Sequence, residues 1–146
     1  MIASFDPGET TGWVTWNDQG AMLDFGQAKG QEELDTVLDA IEIGEDDRLT
    51  HVIIEEFRLF KRKAVAQSGS RMETSQVEGI LKSWARRNKA PVTLQPSSIL
   101  PIAQLWAGMD IEKGGHSQSH WKSAYVHGYY WFVKQGILQP KGLSNG

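Results

Sequence analysis

Two acidic residues follow mostly apolar segments that lie about fifty residues apart in the chain. The first segment, Met1–Phe5, is followed by Asp6, and the second, Val52–Ile54, is followed by Glu55. Apolar runs bounded by turn residues predict β-strands. Magnesium ions prefer oxygen ligands, and a pair of such ions promotes phosphodiester cleavage. Two strand ends that carry acids therefore predict a metal-dependent site for phosphodiester hydrolysis.

The turn after Asp6 has a second interpretation. Asp6 is followed by Pro7 and Gly8, and the chain then returns through Thr10–Gly12 into the run Trp13–Trp16. This pattern predicts a strand, a tight turn and a returning strand. An ordinary hairpin in which the aspartate only caps the turn explains the pattern equally well. The second acidic strand end favours the catalytic interpretation.

The last predicted helix offers further ligands. His120, Ser123 and His127 are spaced i, i+3 and i+7, so they share one helix face beside the apolar stripe. His120 lies in the first turn, from which an imidazole can reach a sheet edge. The alternative is a polar stripe that faces solvent, and the helix alone favours that alternative.

The segments that must position these residues predict an α/β fold, a mixed five-stranded sheet flanked by helices. A helix striped by Leu34, Val37, Leu38 and Ile41 connects the third and fourth strands as a crossover. The first and fourth strands can then lie side by side, so that Asp6 and Glu55 end close together. The predicted strands are 1–6, 13–16, 22–26, 52–55 and 91–94, and the later helices are 73–88, 98–107 and 119–135.

Length and composition indicate one folded domain, which we assign to residues 1–139, followed by a loose tail at 140–146. The chain has no cysteine, which excludes disulfides, thiolate catalysis and cysteine-bound zinc. It has no signal peptide and no long apolar span, so we expect a cytoplasmic protein without a membrane partner. The net charge of −3 argues mildly against a nucleic-acid binder.

The basic residues are clustered, which weakens that argument. A basic segment starts directly after the proposed metal site, where residues that neutralise phosphate are expected. Phe60 within it can wedge against unstacked bases. The alternative is a solvated charge run with its phenylalanine tucked into the protein. The basic segment contains Arg58, Lys61, Arg62 and Lys63, and Lys113 in the later glycine-rich link is a further predicted phosphate contact.

Several motifs, taken together, resemble the RuvC family of Holliday junction resolvases, in the small form common in bacteriophages, which has the RNase H-like fold. The opening residues resemble the family's DPG…TGW signature, and the second acidic strand resembles its IEQ-F motif. These two motifs are fairly specific together, and the others are weak singly. The matching segments are Phe5–Gly8, Thr11–Trp13, Ile54–Phe57, Ser68–Arg71 with Gln76 and Gly79, Gln95–Ser97, and His120–Ala124.

The resemblance implies a structure-selective endonuclease that resolves four-way DNA junctions in recombination or repair, with two Mg²⁺ or Mn²⁺ ions. It implies Asp6, Glu55, His120 and Ser123 as catalytic residues. We expect Asp6, Glu55 and His120 to bind metal, with nearby Glu56 as a further ligand. Arg71 joins the predicted DNA contacts. Two symmetric cuts imply a homodimer, which by analogy uses the helix at 73–88. If a bacteriophage encodes the chain, it acts in the host cytoplasm.

The last motif departs from the family pattern. His120 matches a substitution that the family tolerates, whereas Ser123 stands where a metal-binding aspartate is expected. Ser123 can hold a metal-bound water, another residue such as Glu56 or His116 can supply the ligand, or the protein binds junctions with weak or no cleavage. We expect activity with a preference for Mn²⁺, which imidazole suits better than it suits Mg²⁺.

Three other functions compete with junction resolution. An RNase H-like nuclease that acts on flaps or on RNA–DNA hybrids is poorly separated from it by sequence. A phosphotransferase of the actin and sugar-kinase kind fits the D-x-G-x-T pattern at Asp6–Thr10, but it needs two such domains, which 146 residues cannot supply. A binding module without catalysis gains support from Ser123 alone.

Overall fold

A computed structural model describes residues 1–43, 48–56, 68–111 and 119–143, and it gives the backbone alone at residues 43, 68–73 and 143. The strands are β1 (Ile2–Asp6), β2 (Thr10–Trp16), β3 (Met22–Lys29), β4 (His51–Glu55) and β5 (Val92–Gln95). The helices are α1 (Gly30–Ile43), α2 (Ser68–Arg87), α3 (Leu100–Ala107) and α4 (Ser119–Lys134). Short 3₁₀ turns occupy Ser97–Ile99 and Lys141–Leu143.

The five strands form one mixed sheet in the order β3-β2-β1-β4-β5. Strands β1, β2 and β3 form an antiparallel meander, while β4 runs parallel to both β1 and β5. In the β1–β4 register Phe5 lies opposite Ile54. The next residues along these strands are Asp6 and Glu55, which therefore end at the same edge. The predicted mixed sheet with adjacent first and fourth strands is confirmed.

Alternation along the central strands sends side chains into two separate cores. On one face Ala3, Phe5, Val52 and Ile54 pack against α1 and α2. On the other face Ile2 and Ile53 pack against α3 and α4. Strand β4 is apolar throughout its middle because both of its faces are covered, as expected for a central parallel strand.

Helix α4 is held against the sheet by hydrogen bonds and by the close approach of its backbone to Trp16. The Ser4 hydroxyl donates to the Ala124 carbonyl at 2.7 Å, and the Trp16 indole N–H donates to Ser4 Oγ at 3.0 Å. Gly128 allows the contact with Trp16, since a Cβ there would lie 2.6 Å from Cζ2 of the indole. These contacts fix the position of α4 along the strands.

The boundaries differ most from the predicted ones in β2, in β3 and at the start of α2. Strand β2 begins at Thr10 and β3 extends to Lys29, because Thr10–Gly12 pair with Gln27–Lys29 instead of forming a turn. Helix α2 begins at Ser68, five residues before the predicted start, in a serine- and glycine-containing stretch of low helix propensity. The loose tail at residues 140–146 stays a prediction; within it, Lys141 Nζ lies 5.1 Å from the centre of the Tyr129 ring.

None of the helices in the described ranges is long and apolar enough to cross a membrane.

Candidate active site

The carboxyl groups of Asp6 and Glu55 meet at the ends of β1 and β4. The pKa of Asp6 is raised to about 7, mainly by burial. The hydrogen bond and charge of His120 lower this pKa, whereas the Glu55 charge and a hydrogen bond between the two carboxyls raise it further. The site therefore places two carboxyl groups together where water screens the repulsion between their charges only weakly. The predicted convergence of these two strand ends is present in the structure.

Glu55 is held by two residues of α4. The Ser123 hydroxyl donates to Glu55 Oε2 at 3.0 Å, and His127 Nε2 lies 3.4 Å from the same oxygen. Burial alone would raise the pKa of Glu55, but His127, Asp6 and Ser123 outweigh it and hold that pKa below its ordinary value. Glu55 is therefore the more readily ionised member of the pair.

His120 lies on the Asp6 side of the site. Its Nδ1 is 3.7 Å from Asp6 Oδ2, and the imidazole is 39% exposed, so it stands at the mouth of the site. The neighbouring Asp6 carboxylate raises the pKa of His120. The helix can place His120 here because Gly12 in β2 has no side chain: a Cβ at Gly12 would collide with the His120 backbone. A further bond, from the Trp121 backbone N–H to Gln27 Oε1 at 3.2 Å, fixes the same turn.

His127 lies deeper than His120 and is fully buried. Its Nδ1 is 2.7 Å from Gln95 Oε1 on β5, and its Nε2 faces Glu55. In the described part of the chain this Nε2 is a buried polar atom without a hydrogen-bond partner of good geometry. The imidazole thus links the end of β5 to the carboxyl pair.

The donor set fits a divalent cation. Two carboxylates that share a buried edge repel each other unless a proton or a cation lies between them. Mg²⁺ commonly takes one or two carboxylates and completes its shell with water and phosphate. In the described residues no three His, Asp or Glu side chains are already arranged as a metal-binding group. The Asp6–Glu55 pair, with the two imidazoles beside it, supplies the one or two carboxylates that Mg²⁺ commonly takes.

The other predicted site residues lie at or beyond the ends of the described ranges. Glu56 follows β4 directly, and its backbone N–H donates to the Gln95 carbonyl at 2.8 Å; its role as a metal ligand stays a prediction. Arg71 lies in the first turns of α2, where the backbone alone is described. The following lie outside the described residues: Arg58, Phe60, Lys61, Arg62, Lys63, Lys113 and His116.

Two residues of the site are only weakly indicated by the sequence. His127 is one of three candidate ligands that share a face of the last helix, and Gln95 appears only within a proline-led motif. The available signal was spacing, since His127 follows Ser123 by one helical turn. The contact between β5 and α4 that joins Gln95 to His127 could not be inferred from spacing within either element.

Comparison with known proteins identifies the fold. No protein-family model matches the chain, and no curated protein has a significantly similar sequence. RuvC of T. thermophilus, in complex with a Holliday junction substrate, has a TM-score of 0.64 at 15% identity, over 95% of this chain and 98% of that chain. The Fowlpox virus resolvase, in complex with substrate Holliday junction DNA, has a TM-score of 0.55 at 11% identity, over 92% and 99%. The chain has the fold of these two proteins, so the predicted α/β fold and the resemblance to RuvC are confirmed at the level of the fold.

Proposed function

We propose that this chain is a metal-dependent endonuclease that resolves four-way DNA junctions by phosphodiester hydrolysis. The observation that carries the proposal is the contact between the Asp6 and Glu55 carboxyls at adjacent strand ends. The fold alone does not decide function, because one fold hosts many activities. It adds support because both similar structures hold Holliday junction DNA.

Asp6, Glu55 and His120 are the residues proposed to hold Mg²⁺ or Mn²⁺, with Glu56 as a further ligand. When bound, such ions stabilise the charge on the attacking and leaving oxygens of the phosphodiester. The chain itself fixes the carboxylates: the Ser123 hydroxyl donates to Oε2 of Glu55, and the pairing of β1 with β4 places Asp6 beside it. The half-exposed His120 marks the side from which the phosphate group enters.

The proposed substrate is branched DNA, bound by the basic segment that follows β4. In the sequence, that segment follows directly after the strand end that carries Glu55. Resolution requires two cuts related by symmetry, for which we propose a homodimer with one site in each subunit. We place the activity in recombination or repair of DNA, in the cytoplasm of the host if a bacteriophage encodes the chain.

A labelled synthetic four-way junction tests the proposal, with duplex, flap and RNA–DNA hybrid as comparison substrates, each in Mg²⁺ and in Mn²⁺. We expect preferential cutting of the junction. Asp6→Asn and Glu55→Gln should abolish cutting and leave junction binding within a few-fold of the unaltered protein. Asp39→Asn, which removes an exposed carboxylate on α1, is the matched control and should cut normally.

Each contrary result selects a different function. Faster cutting of the hybrid or the flap would identify another RNase H-like nuclease. Tight junction binding with no cutting in either metal would identify a binding protein, the function that the uncharged Ser123 supports. Full cutting by Asp6→Asn or Glu55→Gln would remove the carboxyl pair from the mechanism.

A further inference from the structure

The buried imidazole of His127 combines three features that the proposed mechanism does not use. Its side chain is fully buried on α4, one turn beyond Ser123. Its Nδ1 lies 2.7 Å from Gln95 Oε1, and its Nε2 lies 3.4 Å from Glu55 Oε2. Although Nε2 is buried, it makes no hydrogen bond of good geometry within the described residues. A buried polar atom without a partner costs free energy and needs an explanation, such as a bound ion.

Gln95 determines the tautomer of the neutral His127 imidazole, and so which ring nitrogen presents a lone pair to the site. Its amide oxygen accepts a hydrogen bond from Nδ1–H, so in the neutral imidazole Nε2 is the unprotonated nitrogen. Histidines that bind metals almost always donate their other ring N–H in this way, which fixes the tautomer and the ring orientation. The Gln95–His127 pair therefore has the arrangement of a metal ligand and its orienting partner.

The separation of the two facing atoms agrees with this role. Two donor atoms bound at right angles to one ion, with bonds of about 2.1 Å, lie about 3 Å apart. The observed 3.4 Å between His127 Nε2 and Glu55 Oε2 is close to that separation. The Ser123 hydroxyl already donates to the same carboxylate and fixes its orientation.

We propose that His127 Nε2 is a ligand of the divalent cation bound by Glu55, and that it supplies the ligand that Ser123 lacks. This inference rests on the proposed metal-dependent function and concerns the same site. It assigns Ser123 to holding the Glu55 carboxylate and Gln95 to orienting His127. It also makes the site richer in nitrogen, which favours Mn²⁺ over Mg²⁺ because imidazole suits the softer ion.

The structure also accommodates a proton in the gap between His127 and Glu55. In that case the imidazolium pairs with the carboxylate, and His127 affects folding without binding metal. The two roles differ in what the metal contacts, so the test measures metal coordination directly and in the absence of DNA.

The experiment uses the full chain with less than one equivalent of Mn²⁺, and electron spin-echo spectroscopy detects nitrogen bound directly to the ion. A His120→Gln background removes the other imidazole of the site. We expect the nitrogen signal to persist in His120→Gln and to disappear when His127→Gln is added. His51→Gln, which removes a half-buried histidine on β4 outside the site, is the control and should leave the signal unchanged.

Two variants of Gln95 test the orienting role while leaving His127 in place. Gln95→Leu should weaken Mn²⁺ binding about 10–100-fold, the usual cost of losing an orienting partner. Gln95→Glu retains an acceptor for Nδ1–H and should restore most of the affinity. Circular dichroism on each metal-free variant verifies that it is folded.

Loss of the nitrogen signal in His120→Gln alone would overturn the inference, as would unchanged Mn²⁺ affinity in His127→Gln. If those results came with normal cutting by the unaltered protein, the proposed function would stand and only the role of His127 would fall. If the unaltered protein bound no Mn²⁺, both the metal-dependent function and this inference would fall.

Discussion

At the scale of single residues, Asp6 and Glu55 make the metal-free site unfavourable. The pKa of Asp6 rises from 3.8 to about 7, mainly through burial. A carboxyl whose pKa is raised by folding stabilises the native state below its unfolded pKa, and this contribution is lost as the pH rises through the folded pKa. The metal-free protein should therefore lose stability between about pH 4 and pH 7.

Asp6→Asn removes that loss, because an amide does not titrate. In EDTA we expect Asp6→Asn to melt at least about 2–4 °C higher than the unaltered protein at pH 8, which is about 1 kcal/mol for a domain of this size. At pH 4.5 the gap should be smaller. Thermal melts of both proteins at the two pH values, with Asp39→Asn as control, measure this difference in melting temperature. An equal gap at both pH values would contradict the pKa assigned to Asp6.

Ser123→Asp tests the position at which the family pattern expects an acid. The new carboxylate would lie beside Glu55, where the hydroxyl now donates a hydrogen bond, so the metal-free protein should become less stable. With metal bound, the added oxygen ligand should raise cleavage in Mg²⁺ and reduce the advantage of Mn²⁺. Junction cutting and thermal melts in each metal provide the readouts. Unchanged Mg²⁺ activity and unchanged metal affinity would place residue 123 away from the ion.

The sequence predicts those site residues that lie at the end of a strand or on a helix with a clear hydrophobic pattern. Asp6 and Glu55 follow apolar strands, and their adjacency follows from the crossover rule for parallel strands. His120 and Ser123 were found because helical spacing and a family motif coincide. Gln95 was not assigned because its partner, His127, lies on another element, and only the packing of α4 across β5 joins them.

At the scale of elements, helix α4 can pack against β2 only because residue 12 is a glycine, which has no side chain. A Cβ at Gly12 would collide with the His120 backbone, so Gly12→Ala must push the first turn of α4 away from the sheet. We expect a loss of about 1–3 kcal/mol, as for overpacking of a core, together with reduced metal affinity. Chemical denaturation and Mn²⁺ titration measure the two effects.

Gly79→Ala is the matched control for that substitution. Gly79 lies within α2, and a Cβ there meets nothing within 4 Å. Alanine in an open helix position should stabilise the chain by about 0.4–1 kcal/mol and leave metal affinity unchanged. Equal effects at the two glycines would show that α4 does not need its close approach to β2.

The segment after β4 is the element in which electrostatic affinity for DNA is predicted. Replacing Lys61, Arg62 and Lys63 together with alanine should weaken junction binding. It should also lower the slope of log affinity against log salt by about one unit for each lost phosphate contact. Binding measured over a range of salt concentrations gives the slope. A slope equal to that of the unaltered protein would place the DNA on another surface.

Element boundaries were predicted least well where backbone pairing outweighs local residue preference. Thr10–Gly12 contain the glycine and threonines of a turn, yet they extend β2 because β3 offers them a partner. The start of α2 at Ser68 likewise contradicts the low helix propensity of serine and glycine. At Thr10–Gly12 the pairing with β3 decides the structure, and the local sequence carries little sign of it.

At the scale of the whole molecule, the proposed junction resolution requires two symmetric cuts and therefore two sites. We expect the chain to sediment at twice its mass of 16.3 kDa, with α2 at the interface. Gly79→Arg should then shift the protein toward the monomer, because the long side chain prevents close approach at an exposed position of α2. Asp39→Arg on α1 is the control. A monomer at all concentrations, with or without junction DNA, would exclude the homodimer.

The bond between Ser4 and Ala124 joins residues 120 positions apart, and the same distant segments of the chain build the site. During synthesis the N-terminal part of a chain emerges and folds first. Asp6 is therefore made before His120 and Ser123, which follow it in the chain. The carboxyl pair lacks its helical cover until α4 is complete, so we expect the proposed cutting activity to appear only once synthesis has passed α4.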